Sequence, residues 1–290
     1  MNRLFLATTA AMILSCSTNS TVLKHVAQFP NSLKEVSGIA YKNNFIYSIE
    51  DRGNENQVTV LDLSGKIQKI ITLNNTENTD WEDLTFDTNG NLYIGDFGNN
   101  ANDRKDLAIY KINPSDLKSE TAEVAYTVSF EYPEQKDFPP KKKDMMFDVE
   151  GFFEYQNFFY LFTKNRSKGF DGSSYVYKIP NTAGHHKAEL IKTITTCTDY
   201  QNCAITSAAI SPDQTKFVLL SHSKIWLFEN FSPDNIADGK MSEINLDHFS
   251  QKEAITFKNN ETLLIADERV KKTGGNLYEL NLKSVKKKSL

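Results

Sequence analysis

Five similar segments recur along the chain, and their spacing is the feature that most limits its fold. The second residue of each segment falls at position 37, 82, 150, 206 or 253, so successive copies lie 45, 68, 56 and 47 residues apart. Each copy opens a series of short apolar stretches separated by turns. Units of this length, built from short β-rich stretches, are typical of β-propeller blades.

Each repeat is predicted to form a four-stranded antiparallel unit. Tight turns rich in Asn, Asp, Gly and Pro follow the first stretch, as at Asn89-Gly90, and these residues favour hairpins. Two further apolar stretches follow, and then a fourth whose alternating polarity is typical of an outer strand. The stretches show no helical periodicity, so the chain is predicted to be all-β.

The two ends of the chain complement each other. The fifth repeat lacks a good fourth strand because residues 281–290 are short and lysine-rich, whereas residues 21–29 form a spare strand. Adding this strand to the last blade closes the ring and leaves no open sheet edge. We therefore predict one β-propeller domain over residues 21–290, with five blades of four antiparallel strands closed by the N-terminal strand.

The first residues form a predicted export signal. Arg3 is followed by an apolar run over residues 4–14 and by Ser15-Cys16. Eleven residues are too few to span a bilayer core of about 30 Å. The pattern resembles a bacterial lipoprotein signal, which predicts a signal peptide over residues 1–15 and a lipidated tether over residues 16–20, anchored at Cys16. The alternative is an ordinary cleaved signal with an incidental cysteine. The expected location is the cell envelope, at the periplasmic or the surface face of the outer membrane.

Charge and cysteine content narrow the possible partners. Lys and Arg number 33 and Asp and Glu number 37, a formal net charge of −4, which argues against nucleic-acid binding. Cys197 and Cys203 are six residues apart in a chain predicted to be exported, and this favours a local disulfide. Two thiols without a partnering His do not form a zinc site. We expect a monomer.

One face of the predicted ring collects the acidic residues. The start of each first strand, the end of each second strand and the long loops all belong to this face, and function usually lies on such loops. Hard oxygen donors with little His or Cys favour Ca²⁺. The predicted metal ligands are Glu82, Asp96, Glu150 and Glu253. Two alternatives remain, namely acids paired with Arg and Lys, and solvated loop acids.

Other polar or aromatic residues of this face are candidate ligand contacts: Glu50, Trp81, Asn99, Lys164, Asp267 and Arg269. If the protein is an enzyme, Asp83 or His222 is the candidate general base and Arg104 the candidate contact for an anion. A single His is also common in loops and cores, and Trp81 is equally suited to packing between blades. The sequence contains no G-x-S-x-G, H-E-x-x-H or phosphate-loop motif.

Several of these motifs resemble those of known bacterial envelope propellers. The segments are LKEVSGI at 33–39, DWED at 80–83, GDFGNN at 95–100, DVEG at 148–151 and EAIT at 253–256. They are similar to those of the SdiA-regulated family and, more loosely, of phytase-like and esterase-like propellers. The resemblance covers roughly residues 30 to 280 and implies an exported propeller that binds calcium.

Two functions follow as hypotheses. The first is an exported lipoprotein that presents an acidic, Ca²⁺-binding axial pocket to a small-molecule ligand or an envelope protein. The alternative is a metal-dependent hydrolase of phosphoesters or lactones, in which the cation polarises a substrate oxygen.

Overall fold

The computed structural model describes residues 22–232 and 235–290. The predicted signal peptide, the tether and Cys16 lie outside these residues. Among the described residues no helix is long and apolar enough to cross a membrane. The secondary structure is almost entirely β, which confirms the predicted fold class.

The strands follow the repeats, and we call each four-stranded group a blade. After β1 (Lys24–Gln28), blade 1 contains β2 (Val36–Lys42), β3 (Phe45–Glu50), β4 (Gln57–Asp62) and β5 (Ile67–Asn74). Blade 2 contains β6 (Trp81–Phe86), β7 (Leu92–Asp96), β8 (Ala108–Ile112) and β9 (Thr121–Glu131). Blade 3 contains β10 (Val149–Tyr155), β11 (Phe158–Thr163), β12 (Ser173–Pro180) and β14 (Glu189–Thr195), with β13 (Gly184–Lys187) inserted before β14.

The last two groups complete the ring. Blade 4 contains β15 (Ser207–Ile210), β16 (Lys216–Leu220), β17 (Lys224–Glu229) and β18 (Lys240–Asn245). Blade 5 contains β19 (Lys252–Asn259), β20 (Thr262–Asp267) and β23 (Asn276–Asn281). A small hairpin of β21 (Arg269–Val270) and β22 (Thr273–Gly274) lies between β20 and β23. A final strand, β24 (Lys288–Ser289), pairs with β18.

The N-terminal strand closes the last blade as predicted. β1 pairs antiparallel with β23, with Lys24 opposite Glu279 and Gln28 opposite Asn276. Blade 5 therefore receives its fourth strand from the other end of the described chain, and Phe29 N–H extends the pairing by donating to the Gly275 carbonyl at 2.7 Å. This closure covers an edge that would otherwise expose unpaired backbone groups.

The first strands β2, β6, β10, β15 and β19 line the axis, each in contact with the next. Five apolar cores fill the spaces between successive blades. At Gly38 the neighbouring strand comes so close that a Cβ would lie 2.9 Å from the Cα of Asp83. The wall of the ring is therefore tightly packed, and polar side chains collect at its two mouths.

Further contacts reinforce the rim of the ring. The outer strands β5 and β9 pair in parallel, and β13 also pairs with β9. The helices are short: η1 (Asp116–Lys118), η2 (Lys142–Asp144), α1 (Tyr200–Cys203) and η3 (Ile236–Asp238). Cys197 and Cys203 form the predicted disulfide, with their Cα atoms 5.5 Å apart. The disulfide holds α1 beside the mouth where the long loops lie.

Candidate cation site

An acidic cavity of about 140 Å³ opens at the mouth where the first strands begin. This is the face of the long loops, as the sequence predicts. The cavity is lined by Ser37, Asp51, Glu82, Asn100, Glu150, Lys164, Arg166, Glu253 and Glu268. Five of these side chains are carboxylates and two are cations, so negative charge is in excess.

β-bulges direct the central side chains to the axis. Ser37, Glu82, Glu150 and Glu253 are each the second residue of a first strand, and the register of pairing shifts at each of them. A bulge leaves one residue out of the ladder and turns its side chain away from the regular alternation. The same local irregularity in four blades therefore brings side chains that are distant in sequence to one mouth of the ring.

Three carboxylates form the centre of the cluster. Glu82, Asp148 and Glu150 each offer an oxygen, and these atoms lie within 4.8 Å of one another. Burial and the charges of Glu150 and Asp80 raise the pKa of Glu82 well above its usual value, because like charges in a desolvated site oppose ionisation. The triad thus has the spacing and the donor type of a cation site.

Two cations neutralise part of the triad. Arg166 contacts Asp148 through Nε and Glu150 Oε1 through a terminal nitrogen, the latter at 2.6 Å. Lys164 Nζ lies 3.0 Å from Glu150 Oε2. Burial raises the pKa of Glu150, while Lys164 and Arg166 oppose this shift. The alternative of acids paired with Arg and Lys is therefore observed for Asp148 and Glu150.

Glu82 is the exception. Its side chain has no hydrogen bond or ion pair to any described residue, although Glu82 is only 9% exposed. Gly98 packs directly on it, and a Cβ at that position would collide with Glu82 Oε1 and the Asp80 carboxyl group. Glu82 lines the cavity, so a cation, a proton or water that enters the cavity can satisfy its carboxylate.

Glu253 occupies the opposite side of the cavity. Its Oε1 lies 3.0 Å from His222 Nε2 and its Oε2 lies 3.9 Å from Lys164 Nζ. Burial alone would raise the pKa of Glu253, but Lys164 and the His222 hydrogen bond outweigh it and lower that pKa. His222 Nδ1 is buried and has no hydrogen-bond partner among the described residues.

Two more carboxylates form the rim. Burial and the neighbouring Glu35 raise the pKa of Asp51 to about 6. Burial and Glu253 raise the pKa of Glu268 to about 8, and Gln251 Nε2 donates to Glu268 at 2.9 Å. Carboxyl groups therefore line the mouth from the triad to the solvent, and their burial and mutual repulsion oppose ionisation.

Several predicted site residues are used elsewhere in the fold. Asp96 is paired with Arg104 at 2.9 Å and accepts the Asp80 N–H. Asn99 N–H donates to Asp148 Oδ1, and its side-chain amide donates to the Phe147 carbonyl. The structure does not bring Asp96, Arg104 or Asn99 into the cavity, and these residues instead shape the loop that packs on the triad.

Other candidates lie further away. Trp81 is fully buried in the core between blades 1 and 2, which matches the alternative of inter-blade packing. Glu50 accepts the backbone N–H groups of Lys34 and Glu35. Asp267 accepts from Asn276 and Tyr278, and Arg269 donates to the Phe29 carbonyl. The structure leaves these four outside the cavity lining, whereas Lys164 lies inside it.

Asp83, a candidate base, is fully buried in the wall of the ring. Its Oδ2 accepts from Ser207 Oγ at 3.2 Å and from the Phe152 N–H at 3.3 Å, and Ser207 Oγ accepts the Ile255 N–H. Burial raises the pKa of Asp83 well above its usual value, and the hydrogen bonds oppose this. The group links first strands of different blades and does not face the cavity.

Asp51 and Glu268 were not predicted as site residues, and Asp148 was not predicted as a metal ligand. Asp148 directly precedes a first strand, and Asp51 and Glu268 directly follow the end of a second strand. Their positions in the repeat were the available signal, because each lies one residue outside a first or a second strand.

No family model matches the sequence, and no curated protein matches it. The PQQ-bound form of aldose sugar dehydrogenase from Streptomyces coelicolor aligns with a TM-score of 0.52 and 10% identity over 89% of this chain and 96% of that chain. A gluconolactonase, XC5397 from Xanthomonas campestris, aligns with a TM-score of 0.48 and 11% identity over 89% of each chain. At this identity the first alignment shows the fold alone, and it supports the β-propeller architecture. The resemblance to the SdiA-regulated family stays a prediction.

Proposed function

We propose that this protein is an exported, lipid-anchored β-propeller that binds a divalent cation, Ca²⁺, in its axial cavity and presents it to a ligand or an envelope partner. The observation that carries the proposal is Glu82, a buried carboxylate without a hydrogen bond or ion pair among the described residues, one oxygen of which lies within 4.8 Å of a ligand oxygen of Asp148 and of Glu150.

The donor set favours calcium over transition metals. The triad offers carboxylate oxygens only, and Ca²⁺ takes six to eight such ligands at about 2.3–2.6 Å. Zn²⁺ and Cu²⁺ prefer His and Cys, and His222 lies behind Glu253 with its Nε2 already in contact with that carboxylate. The open mouth leaves room for water or for an oxygen atom of a ligand to complete the coordination.

Charge balance also supports the proposal. Lys164 and Arg166 form ion pairs with Glu150 and Asp148, whereas no described side chain forms an ion pair with Glu82, and the carboxyl groups of Asp51 and Glu268 lie at the rim. A divalent cation beside Glu82 would offset this excess and restore the ionised form of the side chain.

Calorimetric titration of the mature protein with Ca²⁺ tests the proposal, together with melting temperatures in Ca²⁺ and in EDTA. We expect heat of binding at one site and a higher melting temperature in Ca²⁺. Glu82→Gln should weaken binding at least about tenfold. The same substitution should leave the melting temperature in EDTA unchanged or raised, because it removes a buried group without a partner.

The matched control is Glu55→Gln, which removes one negative charge from an exposed loop position on the same face. This variant should bind Ca²⁺ as the wild type does. Absence of heat and of any melting shift in the wild type, or equal losses in both variants, would contradict a specific site.

A second candidate function is metal-dependent hydrolysis of phosphoesters or lactones. The observation in its favour is the hydrogen bond between His222 and Glu253 beside the cavity, since a His positioned by a carboxylate is a common arrangement for proton transfer. Turnover of p-nitrophenyl phosphate, p-nitrophenyl acetate or a simple lactone that depends on Ca²⁺ and is lost in His222→Gln would favour this function. No turnover by a preparation that binds Ca²⁺ would favour the presenting role.

A further inference from the structure

A larger groove adjoins the acidic cavity on the same face. It encloses about 730 Å³ between the loop that precedes β19 and the β21–β22 hairpin. Glu268 lines both the cavity and the groove, so the two spaces are adjacent at this residue. A volume of this order accommodates several side chains or a mid-sized ligand.

The groove carries exposed apolar side chains. Phe249 is 55% exposed and Val270 is 41% exposed, and both line the groove. The Phe249 ring packs edge-on against His222 with centroids 5.7 Å apart, and His222 binds Glu253 of the cavity. Two exposed apolar side chains therefore lie in the groove, and only His222 separates Phe249 from the Glu253 carboxylate.

The junction of cavity and groove is held rigidly. Glu268 N–H donates to the Gln251 carbonyl at 2.8 Å, and Gln251 Nε2 donates back to the Glu268 carboxylate. The Glu268 carbonyl accepts the Gly275 N–H at 3.2 Å. A Cβ at Gly274 would collide with this carbonyl, and the φ of Gly274 is +80°. The groove is therefore preformed, which lowers the entropic cost of binding an extended ligand.

The charges that line the cavity determine which group of a ligand can enter it. The cavity lining has five carboxylates and two cations, so the cavity favours a positive group. Its volume of about 140 Å³ admits one long side chain. Lys and Arg combine an apolar stem with a cationic tip, and apolar neighbours of that residue would lie against Phe249 and Val270.

We propose that the groove and the cavity together bind an extended segment of a partner protein, with a Lys or Arg side chain in the cavity and adjacent apolar side chains against Phe249 and Val270. This inference rests on the proposed function, because it assigns the class of partner to the same carboxylates. Ca²⁺ and the basic side chain then compete for Glu82, so this segment binds the cation-free cavity, whereas bound Ca²⁺ is presented to a different ligand that offers oxygen atoms.

Fluorescence anisotropy with the full mature chain tests this inference. The probe is a labelled, acetylated and amidated pentapeptide, Gly-Leu-Lys-Leu-Gly, and its analogues carry norleucine or Glu in place of Lys. We expect the Lys peptide to bind, the norleucine analogue to bind at least about tenfold more weakly, and the Glu analogue not to bind. Ca²⁺ should displace the Lys peptide at constant ionic strength.

Two variants separate the groove from the cavity. Phe249→Ala should lower the affinity for the Lys peptide about tenfold and leave the affinity for Ca²⁺ unchanged. Phe45→Ala, which truncates an exposed Phe at the opposite mouth, should change neither. Equal binding of the Lys and norleucine peptides, or no effect of Phe249→Ala on peptide binding, would overturn the inference. Ca²⁺ binding without peptide binding refutes this inference alone, and peptide binding without Ca²⁺ binding refutes the proposed function alone.

Discussion

Glu82 and Asp83 are adjacent in sequence, yet the carboxyl group of Glu82 faces the cavity and that of Asp83 is buried in the wall of the ring. Glu82 is the bulge residue of β6 and faces the cavity without a hydrogen bond to the described part of the chain, whereas Asp83 returns to the regular ladder and accepts several hydrogen bonds inside the wall. The Asp83 carboxylate therefore links blades, and the Glu82 carboxylate is available to a ligand. The difference depends on the bulge, because a one-residue change of register exchanges the two faces of a strand.

Lys252 is another residue with an unusual environment, and it leads to a pH prediction. Its ammonium group is buried and donates to the carbonyls of His222 and His248 at 3.0 and 2.9 Å, and to Ser250 Oγ. Burial lowers the pKa of Lys252 from 10.5 to about 8. Between these values the unfolded chain holds a proton that the folded protein has released. The contribution of Lys252 to the free energy of unfolding should therefore rise with pH over this window, by at most about 3 kcal/mol.

Urea unfolding between pH 8 and 10.5 measures this effect. The free energy of unfolding of the wild type minus that of Lys252→Met should increase as the pH rises through the window. The variant Lys240→Met, which alters an exposed lysine, should keep the wild-type slope. Parallel curves for the wild type and Lys252→Met would show that Lys252 titrates as it does in the unfolded chain.

At the scale of elements, the disulfide supports the cavity through α1. The bond between Cys197 and Cys203 closes a loop that contains α1, and Tyr200 OH accepts from Arg166 Nη1 at 3.1 Å. Arg166 in turn holds Asp148 and Glu150. A short loop with little secondary structure thereby positions the cation that neutralises two members of the triad.

Replacing both cysteines should destabilise the protein moderately. The bond closes a short loop of six-residue separation, for which the chain-entropy contribution is about 2 kcal/mol. We expect Cys197→Ser with Cys203→Ser to lower the free energy of unfolding by about this amount in urea. Tyr200→Phe keeps the bond and removes only one hydrogen bond, so its cost should be about 1 kcal/mol. An equal cost for the two variants would contradict the role given to the disulfide.

The repeat spacing predicts the elements well but predicts the site only in part. Hairpin residues and the alternation of apolar stretches report local backbone structure, and they predicted the strands and the closure by β1. The aligned column of Glu82, Glu150 and Glu253 predicted the acidic mouth. It did not predict that Asp96 would be paired with Arg104, because that pairing depends on the path of an irregular loop. Loop geometry also decides that Asp148 joins the triad.

At the scale of the whole molecule, closure of the ring depends on the pairing of the N-terminal strand β1 with β23 of the last blade. β1 buries Leu23, Ala27 and Phe29 against the last blade and covers the edge of β23. The axial cavity takes side chains from four blades, so its shape depends on closure of the ring. A local defect at β1 should therefore affect the distant acidic mouth.

Deletion of the segment before Asn31 tests this dependence. The shortened chain should lose several kcal/mol of stability from lost apolar burial and should associate through the open edge of β23. Light scattering after gel filtration measures the association, and urea unfolding measures the stability. A synthetic peptide of residues 21–30 should restore both properties, and a scrambled peptide should not. A shortened chain that remains monomeric and fully stable would contradict closure by β1.

The most direct test of the central claim is a crystal structure of the mature protein grown with Ca²⁺ and then with Tb³⁺ in its place. We expect an anomalous difference peak on the axis, with oxygens of Glu82, Asp148 and Glu150 about 2.3–2.6 Å away, and loss of this peak in Glu82→Gln. A triad without a peak at saturating cation concentration, or a peak bound only by other residues, would contradict it.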